Sequence, residues 1–163
     1  MARLTLVVGG TRSGKSRHAE GLARQAPPVS YLATAQAGDE EMARRIAIHQ
    51  ARRAAWGWQT VEEPWDLPAA VSRHAKGTLL IDCLTLWLSN LLVGIPGHEG
   101  LDDARARAAI EALLDAIKTA SGRVVLVSNE TGCGIVPAIP LARRFADLQG
   151  EANQWLASMA AEV

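Results

Sequence analysis

The stretch Gly9-Gly10-Thr11-Arg12-Ser13-Gly14-Lys15-Ser16 decides how the rest of this sequence is interpreted. It follows an apolar run, residues 4–8, and precedes a helix-compatible segment from Ser16 to about Gln25. The spacing G-x-x-x-x-G-K-S between a strand and a helix is typical of a loop whose backbone N–H groups bind phosphate. We therefore predict that residues 9–16 bind a nucleoside triphosphate, with Lys15 at its β- and γ-phosphates and Ser16 on Mg²⁺. A chance glycine-rich turn is the alternative.

The balance of charge limits the partners of this chain. Its 163 residues include 17 basic and 17 acidic side chains, which cancel. A neutral chain argues against a broad surface for nucleic acid or anionic membranes, although a local cluster can still bind a polyphosphate. We therefore predict a small-molecule substrate and no nucleic-acid partner. The length predicts one nucleotide-binding domain over residues 1–163.

Cysteine content and hydropathy indicate a cytoplasmic protein. The two cysteines, Cys83 and Cys133, are too few and too far apart for a disulfide scaffold or a zinc site. No charged-then-apolar signal is expected at the start, because the first strand begins almost at Met1. The longest apolar stretch, residues 78–95, contains Asp82 and Asn90 and is short for a bilayer span. It is predicted to be a buried strand that leads into a packed helix, so no membrane span is expected.

Strand-like and helix-like segments alternate along the chain. Predicted strands cover residues 4–8, 29–34, 58–62, 78–82 and 123–128, and predicted helices cover 16–25, 39–55, 67–75, 84–93, 101–120 and 139–161. The glycine- and proline-rich residues 94–100 and 129–140 are predicted to be loops. This alternation predicts an α/β fold of the P-loop NTPase (RecA-like) type, with a mostly parallel sheet and helices on both faces. Ligands then bind at the carboxyl ends of the strands, where the sequence places the glycine loop, Thr34 to Gln36, Glu62, Asp82 and Asn129-Glu130.

Asp82 is a candidate metal ligand at the end of the predicted strand 78–82. An apolar strand that ends in an acid is the pattern by which P-loop proteins hold Mg²⁺ through a carboxylate. The alternative is that Asp82 caps the helix that follows. The glycine loop earlier in the chain favours the metal site.

His49 is a candidate nucleophile on the predicted helix 39–55. A nucleophilic nitrogen next to a phosphate site could form a phosphoramidate and split one transfer into two. Positive neighbours favour the neutral, nucleophilic form of an imidazole near pH 7 and attract a triphosphate. A solvated helical face with a chance histidine is the alternative, and spacing alone favours it. The neighbours in question are Arg45, Arg52 and Arg53.

Four stretches of the sequence carry a resemblance to a known family when they are taken together, and the first of them is residues 9–17. The others are Tyr31-Leu32-Ala33-Thr34-Ala35, Asp82-Cys83-Leu84-Thr85-Leu86-Trp87 and Ser128-Asn129-Glu130-Thr131-Gly132-Cys133-Gly134-Ile135-Val136-Pro137. Taken together they resemble the bifunctional adenosylcobinamide kinase/adenosylcobinamide-phosphate guanylyltransferase family of the cobalamin pathway. The likeness spans nearly the whole chain. Many NTPases share the first stretch, whereas the last two are far more restrictive.

This resemblance implies two reactions. In the first, ATP or GTP phosphorylates the aminopropanol hydroxyl of adenosylcobinamide. In the second, GTP gives GMP to a histidine with release of pyrophosphate, and the GMP passes to adenosylcobinamide phosphate to make adenosylcobinamide-GDP. The resemblance also implies Mg²⁺ and a homo-oligomer, commonly a trimer. Family chains usually continue from the last helix into another apolar strand, and this sequence stops at Val163, where that strand would begin.

The resemblance also implies which residues act. The family's histidine lies in an Arg-Ile-x-x-His setting, which matches residues 45–49 and makes His49 the first choice beside Lys15 as a catalytic residue. Nucleotide contacts are implied at Asp82, which with Ser16 would also hold the metal, and at Glu62, although Glu63 is adjacent and leaves the register open. The remaining implied contacts are Gly9, Gly10, Thr11, Arg12, Ser13, Gly14, Lys15, Ser16, Thr34, Ala35, Gln36, Gln50, Ala51, Arg52 and Arg53.

One site can serve both reactions only if the substrate or the His49 helix changes position between them. Gly38 and Gly57, on either side of that helix, motivate this hypothesis. Two other functions stay open at this point. One is a P-loop kinase of another small metabolite without a covalent histidine, and the other is a nucleotide-sensing switch that shares only the fold.

Overall fold

The computed structural model describes residues 3–36, 38, 40–74 and 76–163, with the backbone alone at Arg45. Its strands are β1 (Arg3–Gly9), β2 (Val29–Ala33), β3 (Gln59–Glu62), β4 (Thr78–Asp82), β5 (Gly94–Ile95), β6 (His98–Glu99) and β7 (Arg123–Asn129). Its helices are α1 (Lys15–Arg24), α2 (Glu40–Ala54), α3 (Leu67–Arg73), α4 (Leu84–Val93), α5 (Asp103–Thr119) and α6 (Pro140–Met159).

Five parallel strands form one sheet in the order β1-β7-β4-β2-β3. The interior strands are apolar runs because helices cover the sheet on both sides. Leu79, Leu80 and Ile81 of β4 are fully buried, and residues 124–127 of β7 are at most 1% exposed. The predicted α/β fold with a parallel sheet is therefore confirmed.

The two faces of the sheet have separate hydrophobic cores. Leu79 and Ile81 belong to the core that contains the buried residues of α3, α4, α5 and α6, whereas Leu80 belongs to the core with α1 and Tyr31. Neighbouring residues of a strand point to opposite faces, which explains this division. Because all five strands run the same way, their carboxyl ends meet at one edge, and the glycine loop, Asp82 and Asn129 lie there.

The prediction of a loop over residues 94–100 is wrong. These residues form a small antiparallel hairpin in which β5 and β6 flank Pro96-Gly97. Glycine and proline mark loops and tight turns alike, and Gly97 has the positive φ, 89°, that turns of this kind require. The imidazole of His98 stacks on Trp65 at 4.4 Å, which ties the hairpin to the body of the protein.

Several predicted element ends differ from the structure for local reasons. Helix α5 begins at Asp103 rather than residue 101, because the Asp102 side chain accepts a hydrogen bond from Arg105 N and caps the helix. Helix α6 ends at Met159 rather than residue 161, because Ala161 and Glu162 hydrogen-bond to β1 instead. The predicted ends at Asp39 and Ala75 lie outside the described residues.

A helix that spans a bilayer needs about 20 consecutive, mostly apolar residues. Within residues 3–36, 38, 40–74 and 76–163, no helix is both long enough and apolar enough to cross a membrane.

Candidate active site

The glycine loop closes on itself between β1 and α1. Arg12 and Gly14 have positive φ angles of 55° and 87°, and the ammonium group of Lys15 donates a hydrogen bond to Gly10 O at 3.1 Å. A Cβ atom at Gly9 would lie 2.8 Å from Ser13 Oγ, so a side chain there would require Ser13 to move. The N-cap of α1 is Gly14, which has no side chain to bind the first N–H groups of the helix. Those groups therefore suit an anion.

A cavity of about 410 Å³ adjoins this loop, and the elements around it supply residues that are far apart in sequence. Ser16 comes from α1, His49 from α2, Glu62 from the end of β3 and Asp82 from the end of β4. Volumes of this size are typical of small-molecule sites. Seven predicted site residues line the cavity together: Ser16, Ala35, His49, Arg52, Arg53, Glu62 and Asp82.

Asp82 faces this cavity rather than capping α4. The N-cap is Cys83, whose Sγ accepts a hydrogen bond from Leu86 N at 3.4 Å. One oxygen of Asp82, Oδ2, accepts a hydrogen bond from the Tyr31 hydroxyl at 3.0 Å. Burial, and to a lesser degree the charge of Asp82, raises the pKa of Tyr31, so this hydroxyl stays protonated and holds the carboxylate in place.

The donors that face the cavity suit a Mg²⁺ ion bound together with a nucleotide. The Ser16 hydroxyl and the Asp82 carboxylate are hard oxygen ligands. Within the described part of the chain, His, Cys, Asp and Glu side chains do not form a group of three that could hold a metal without such a partner. Protein Mg²⁺ sites of this kind use one or two side chains and complete the shell with water and phosphate oxygens. A bound Mg²⁺ would neutralise charge on the β- and γ-phosphates.

Replacement of Asp82 should weaken Mg²⁺-dependent nucleotide binding. We expect Asp82→Ala and the isosteric Asp82→Asn to raise the Kd for nucleotide in the presence of Mg²⁺ by more than about tenfold, because even outer-shell metal partners have effects of that size. Binding without Mg²⁺ should change little. Titration calorimetry at several Mg²⁺ concentrations measures this, with Asp147→Asn on an exposed part of α6 as the control. Unchanged Mg²⁺ dependence in both variants would contradict the assignment.

His49 is exposed on α2 and lines the same cavity as Ser16 and Asp82. The alternative of a chance histidine on a purely solvated face is therefore disfavoured, because the face that carries His49 borders the cavity beside the phosphate-binding loop. His49 and Ser16, the last residue of the glycine loop, border the same cavity.

Two of the arginines near His49 line the cavity with it and also contact other elements of the protein. Arg52 makes two 2.7 Å hydrogen bonds to the carboxylate of Glu20, which is 5% exposed. Arg53 is 3% exposed, and its guanidinium lies over the ring of Tyr31 at 3.6 Å. Arginine suits both arrangements because its planar group forms bidentate pairs and stacks on aromatic rings. The two side chains thus anchor α2 to α1 and β2, and the side chain of Arg45 lies outside the described residues.

Glu62 and Glu63 have different surroundings, which distinguishes these two candidates for the acidic nucleotide contact. Glu62 lines the cavity, and its Oε1 accepts a hydrogen bond from Gln50 Nε2 at 2.6 Å. Glu63 instead accepts hydrogen bonds from Trp65 N and Asp66 N and pairs with Arg73 at 3.6 Å. The geometry favours Glu62 as the acid that meets a ligand.

Four other predicted nucleotide contacts do not line this cavity: Thr34, Gln36, Gln50 and Ala51. Thr34 is fully buried, and its hydroxyl donates to Cys83 O and accepts from Cys83 N, so this side chain joins β2 to β4 instead of facing the cavity. Gln36 and Gln50 line a neighbouring cavity of about 400 Å³ that shares Glu62 with the first. Ala51 is exposed and lines neither of these two cavities.

Sequence reasoning missed two residues that support the site. Glu20 lies four residues after Ser16, hence on the same face of α1, and this spacing was an available signal. Tyr31 lies two residues before Ala33 on β2, hence on the same face of the sheet. Their partners, Arg52 and Asp82, are distant in sequence, so no local pattern indicates either pair.

The glycine loop between β1 and α1, together with an acid at the end of β4 in a parallel sheet, defines a P-loop nucleotide-binding protein. The family model CobU, described as cobinamide kinase / cobinamide phosphate guanyltransferase, matches residues 5–163. The chain therefore belongs to this family.

Curated relatives agree with the family. The bifunctional adenosylcobalamin biosynthesis protein CobP of Pseudomonas aeruginosa is 50% identical over 161 residues, which cover 97% of this chain and 89% of the relative. The bifunctional adenosylcobalamin biosynthesis proteins CobU of Salmonella typhimurium and Escherichia coli are 43% and 40% identical, and each match covers 98% of this chain and 93% of the relative.

Proposed function

We propose that this protein carries out both reactions of its family in one cavity. It phosphorylates adenosylcobinamide with ATP or GTP, and it transfers GMP from GTP through His49 to adenosylcobinamide phosphate, giving adenosylcobinamide-GDP. Family membership supports the pair of activities. The observation that carries the proposal is that His49 lines the same cavity as Ser16 and Asp82.

In phosphoryl transfer, the glycine loop binds the phosphates and stabilises their negative charge. The first N–H groups of α1 and the ammonium group of Lys15 stabilise charge on the β- and γ-phosphates as the bond to the γ-phosphorus breaks. The acceptor hydroxyl forms the new bond to phosphorus, and the nucleoside diphosphate leaves. Little covalent chemistry is required of the protein, so catalysis depends mainly on the positioning of the reacting groups and on stabilisation of their charge.

Guanylyl transfer uses His49 as a nucleophile. A ring nitrogen of His49 attacks the α-phosphorus of GTP, a phosphorus–nitrogen bond forms, and pyrophosphate leaves. The phosphate of adenosylcobinamide phosphate then attacks the same phosphorus and the bond to His49 breaks. Cys83, the other candidate nucleophile near the cavity, is unsuitable because burial and the charge of Asp82 raise the pKa of its thiol to about 11.

The neighbouring cavity suits recognition of a guanine base. Glu62 and Gln50 line it and are hydrogen-bonded to each other at 2.6 Å. A carboxylate can accept two hydrogen bonds side by side, which matches the N1–H and N2–H donors of guanine. This arrangement supports GTP as the guanylyl donor.

The two reactions place different phosphorus atoms against their nucleophiles, so either the substrate or α2 is expected to change position between them. Gly38 and Gly57 flank the helix, and Gly57 has a positive φ of 73°. The pairs Arg52–Glu20 and Arg53–Tyr31 are the contacts that such a movement would rearrange. Crystals with and without GTP test this hypothesis, which a fixed α2 with His49 remote from the α-phosphorus would refute.

Oligomeric state and compartment form the rest of the proposal. An apolar groove of about 300 Å³ includes Val93, Ile139 and Phe145, and exposed apolar surface of this kind suits contact with a second subunit. The family resemblance makes a trimer the expected assembly. Both cysteines are free, Cys83 buried and Cys133 exposed, which fits the reducing cytoplasm.

One incubation tests the proposed function against its alternatives. The protein is mixed with GTP, Mg²⁺ and adenosylcobinamide, and mass spectrometry is applied to both the protein and the corrinoid. We expect a protein adduct of GMP and, in the corrinoid fraction, adenosylcobinamide phosphate followed by adenosylcobinamide-GDP. A kinase of another metabolite would give neither corrinoid product nor adduct, and a nucleotide switch would leave the corrinoid unchanged.

A further inference from the structure

Phosphorylation of a hydroxyl releases a proton, and none of the residues assigned so far accepts it. The accepting group must be a base close to the γ-phosphate, which the glycine loop and Lys15 hold. Carboxylates close to the strand ends at this edge include Glu20, Glu62, Glu63, Asp82 and Glu130.

Strand order places Glu130 nearest to the glycine loop. β7 pairs directly with β1, Asn129 is in register with Gly9, and Glu130 N donates a hydrogen bond to Gly9 O at 3.1 Å. β7 also lies between β1 and β4, which ends in Asp82. Glu130 therefore follows a strand that lies one strand spacing, about 5 Å, from β1, which leads into the loop. Glu62 ends β3, which lies four spacings, about 19 Å, from β1.

The other carboxylates have partners that already define their roles. Glu20 is buried and paired with Arg52, and Glu63 is paired with Arg73 and two backbone N–H groups. Asp82 accepts the Tyr31 hydroxyl and is the proposed metal ligand. None of the ion pairs among the described residues involves Glu130.

The Glu130 side chain is exposed, but the backbone next to it is fixed by hydrogen bonds. Its neighbour Asn129 donates its N–H to Thr85 Oγ1 at 2.9 Å and accepts a hydrogen bond at its carbonyl from Asn153 Nδ2 at 3.3 Å. The Glu130 carboxylate accepts a hydrogen bond from Gly132 N at 2.8 Å through Oε1. This contact orients the group while its other oxygen remains available to a substrate.

We propose that Glu130 is the general base of the phosphorylation step, a role that rests on the proposed function. The carboxylate takes the proton of the acceptor hydroxyl as that oxygen attacks the γ-phosphorus. The bond between the γ-phosphorus and the bridging oxygen breaks, and the nucleoside diphosphate leaves with the electron pair. The guanylylation of His49 involves no hydroxyl proton, so Glu130 has no part in it.

Partial reactions of the full-length protein test this role. With Glu130→Gln, kcat for adenosylcobinamide phosphorylation should fall by about 10²-fold, the usual contribution of a positioned base. KM for nucleotide and acceptor should stay within about twofold, because binding is unchanged. Labelling of the protein by α-phosphate-labelled GTP should proceed at the wild-type rate. Glu130→Asp keeps a carboxylate and should recover at least about tenfold of the lost kcat.

Glu111→Gln, a charge-neutralising change on the exposed side of α5, is the matched control and should leave both reactions unchanged. A kcat for phosphorylation within about twofold of wild type in Glu130→Gln would overturn the proposal. Equal losses of phosphorylation and His49 labelling would also overturn it, because they indicate a role in folding or nucleotide binding. A wild-type protein that neither phosphorylates adenosylcobinamide nor becomes labelled would instead refute the proposed function, and the role of Glu130 with it.

Discussion

His49→Ala is expected to abolish labelling of the protein by GTP that carries a labelled α-phosphate. The covalent step depends on one ring nitrogen, and no second nucleophile of matching chemistry lines the cavity among the described residues. Phosphorylation of adenosylcobinamide should remain measurable, because that step uses the glycine loop and not the imidazole. Gel autoradiography of the labelled protein, with a parallel assay of the corrinoid, measures both outcomes.

His74→Ala is the matched control for this variant, since His74 lies at the end of α3 and does not line the cavity. The wild-type label should be lost in acid and kept in alkali, as a phosphorus–nitrogen bond requires. Persistent labelling of His49→Ala would move the nucleophile to another residue. Loss of both activities would mean that the variant is misfolded or that His49 is needed for nucleotide binding, and circular dichroism with a binding titration distinguishes these two.

Lys15→Ala is expected to lower both reactions by about 10³-fold or more, the scale on which a single cation acts on a transferring phosphoryl group. The Lys15 ammonium group lies 3.1 Å from Gly10 O, so the loop itself positions this charge beside the site proposed for the phosphates. Rates of phosphorylation and of His49 labelling are measured side by side, together with nucleotide affinity.

Lys76→Ala, at an exposed position, serves as the control for loss of one positive charge. Lys15→Arg keeps the charge but enlarges the group, and it should remain impaired because the loop fits a compact ammonium. If Lys15→Ala lost phosphorylation and kept full guanylylation, the two reactions would bind their triphosphates in different places. The proposal of one shared cavity would then be wrong.

Much of the fold was predictable because β4 and β7 contain uninterrupted apolar runs that end at polar residues. β4 is the clearest example, since residues 78–82 were predicted with the observed bounds. The convergence of the glycine loop, Glu62 and Asp82 at one edge follows from the parallel direction of the strands. The hairpin at residues 94–100 was not predictable, because its glycines and proline occur equally in irregular loops.

The supporting contacts of the candidate site could not be predicted from local patterns. The pair between Arg52 and Glu20 joins residues 32 positions apart, and the hydrogen bond from Tyr31 to Asp82 spans 51 positions. Helical spacing placed Arg52 beside His49 but gave no information on the partner across the cavity. The surroundings of Thr34 were equally unpredictable, since its hydroxyl bonds to Cys83 and its carbonyl to Asn90, 49 and 56 positions away.

The shared cavity has a consequence for the timing of the two reactions. Ser16, Asp82 and His49 border one space of about 410 Å³, which is enough for a single nucleotide. If His49 carries GMP as proposed, that GMP occupies part of the space beside the glycine loop, and we expect it to slow binding of another triphosphate and hence the kinase reaction. Scarcity of adenosylcobinamide phosphate would then leave GMP on His49, so the supply of that acceptor would set how often the site is free for phosphorylation.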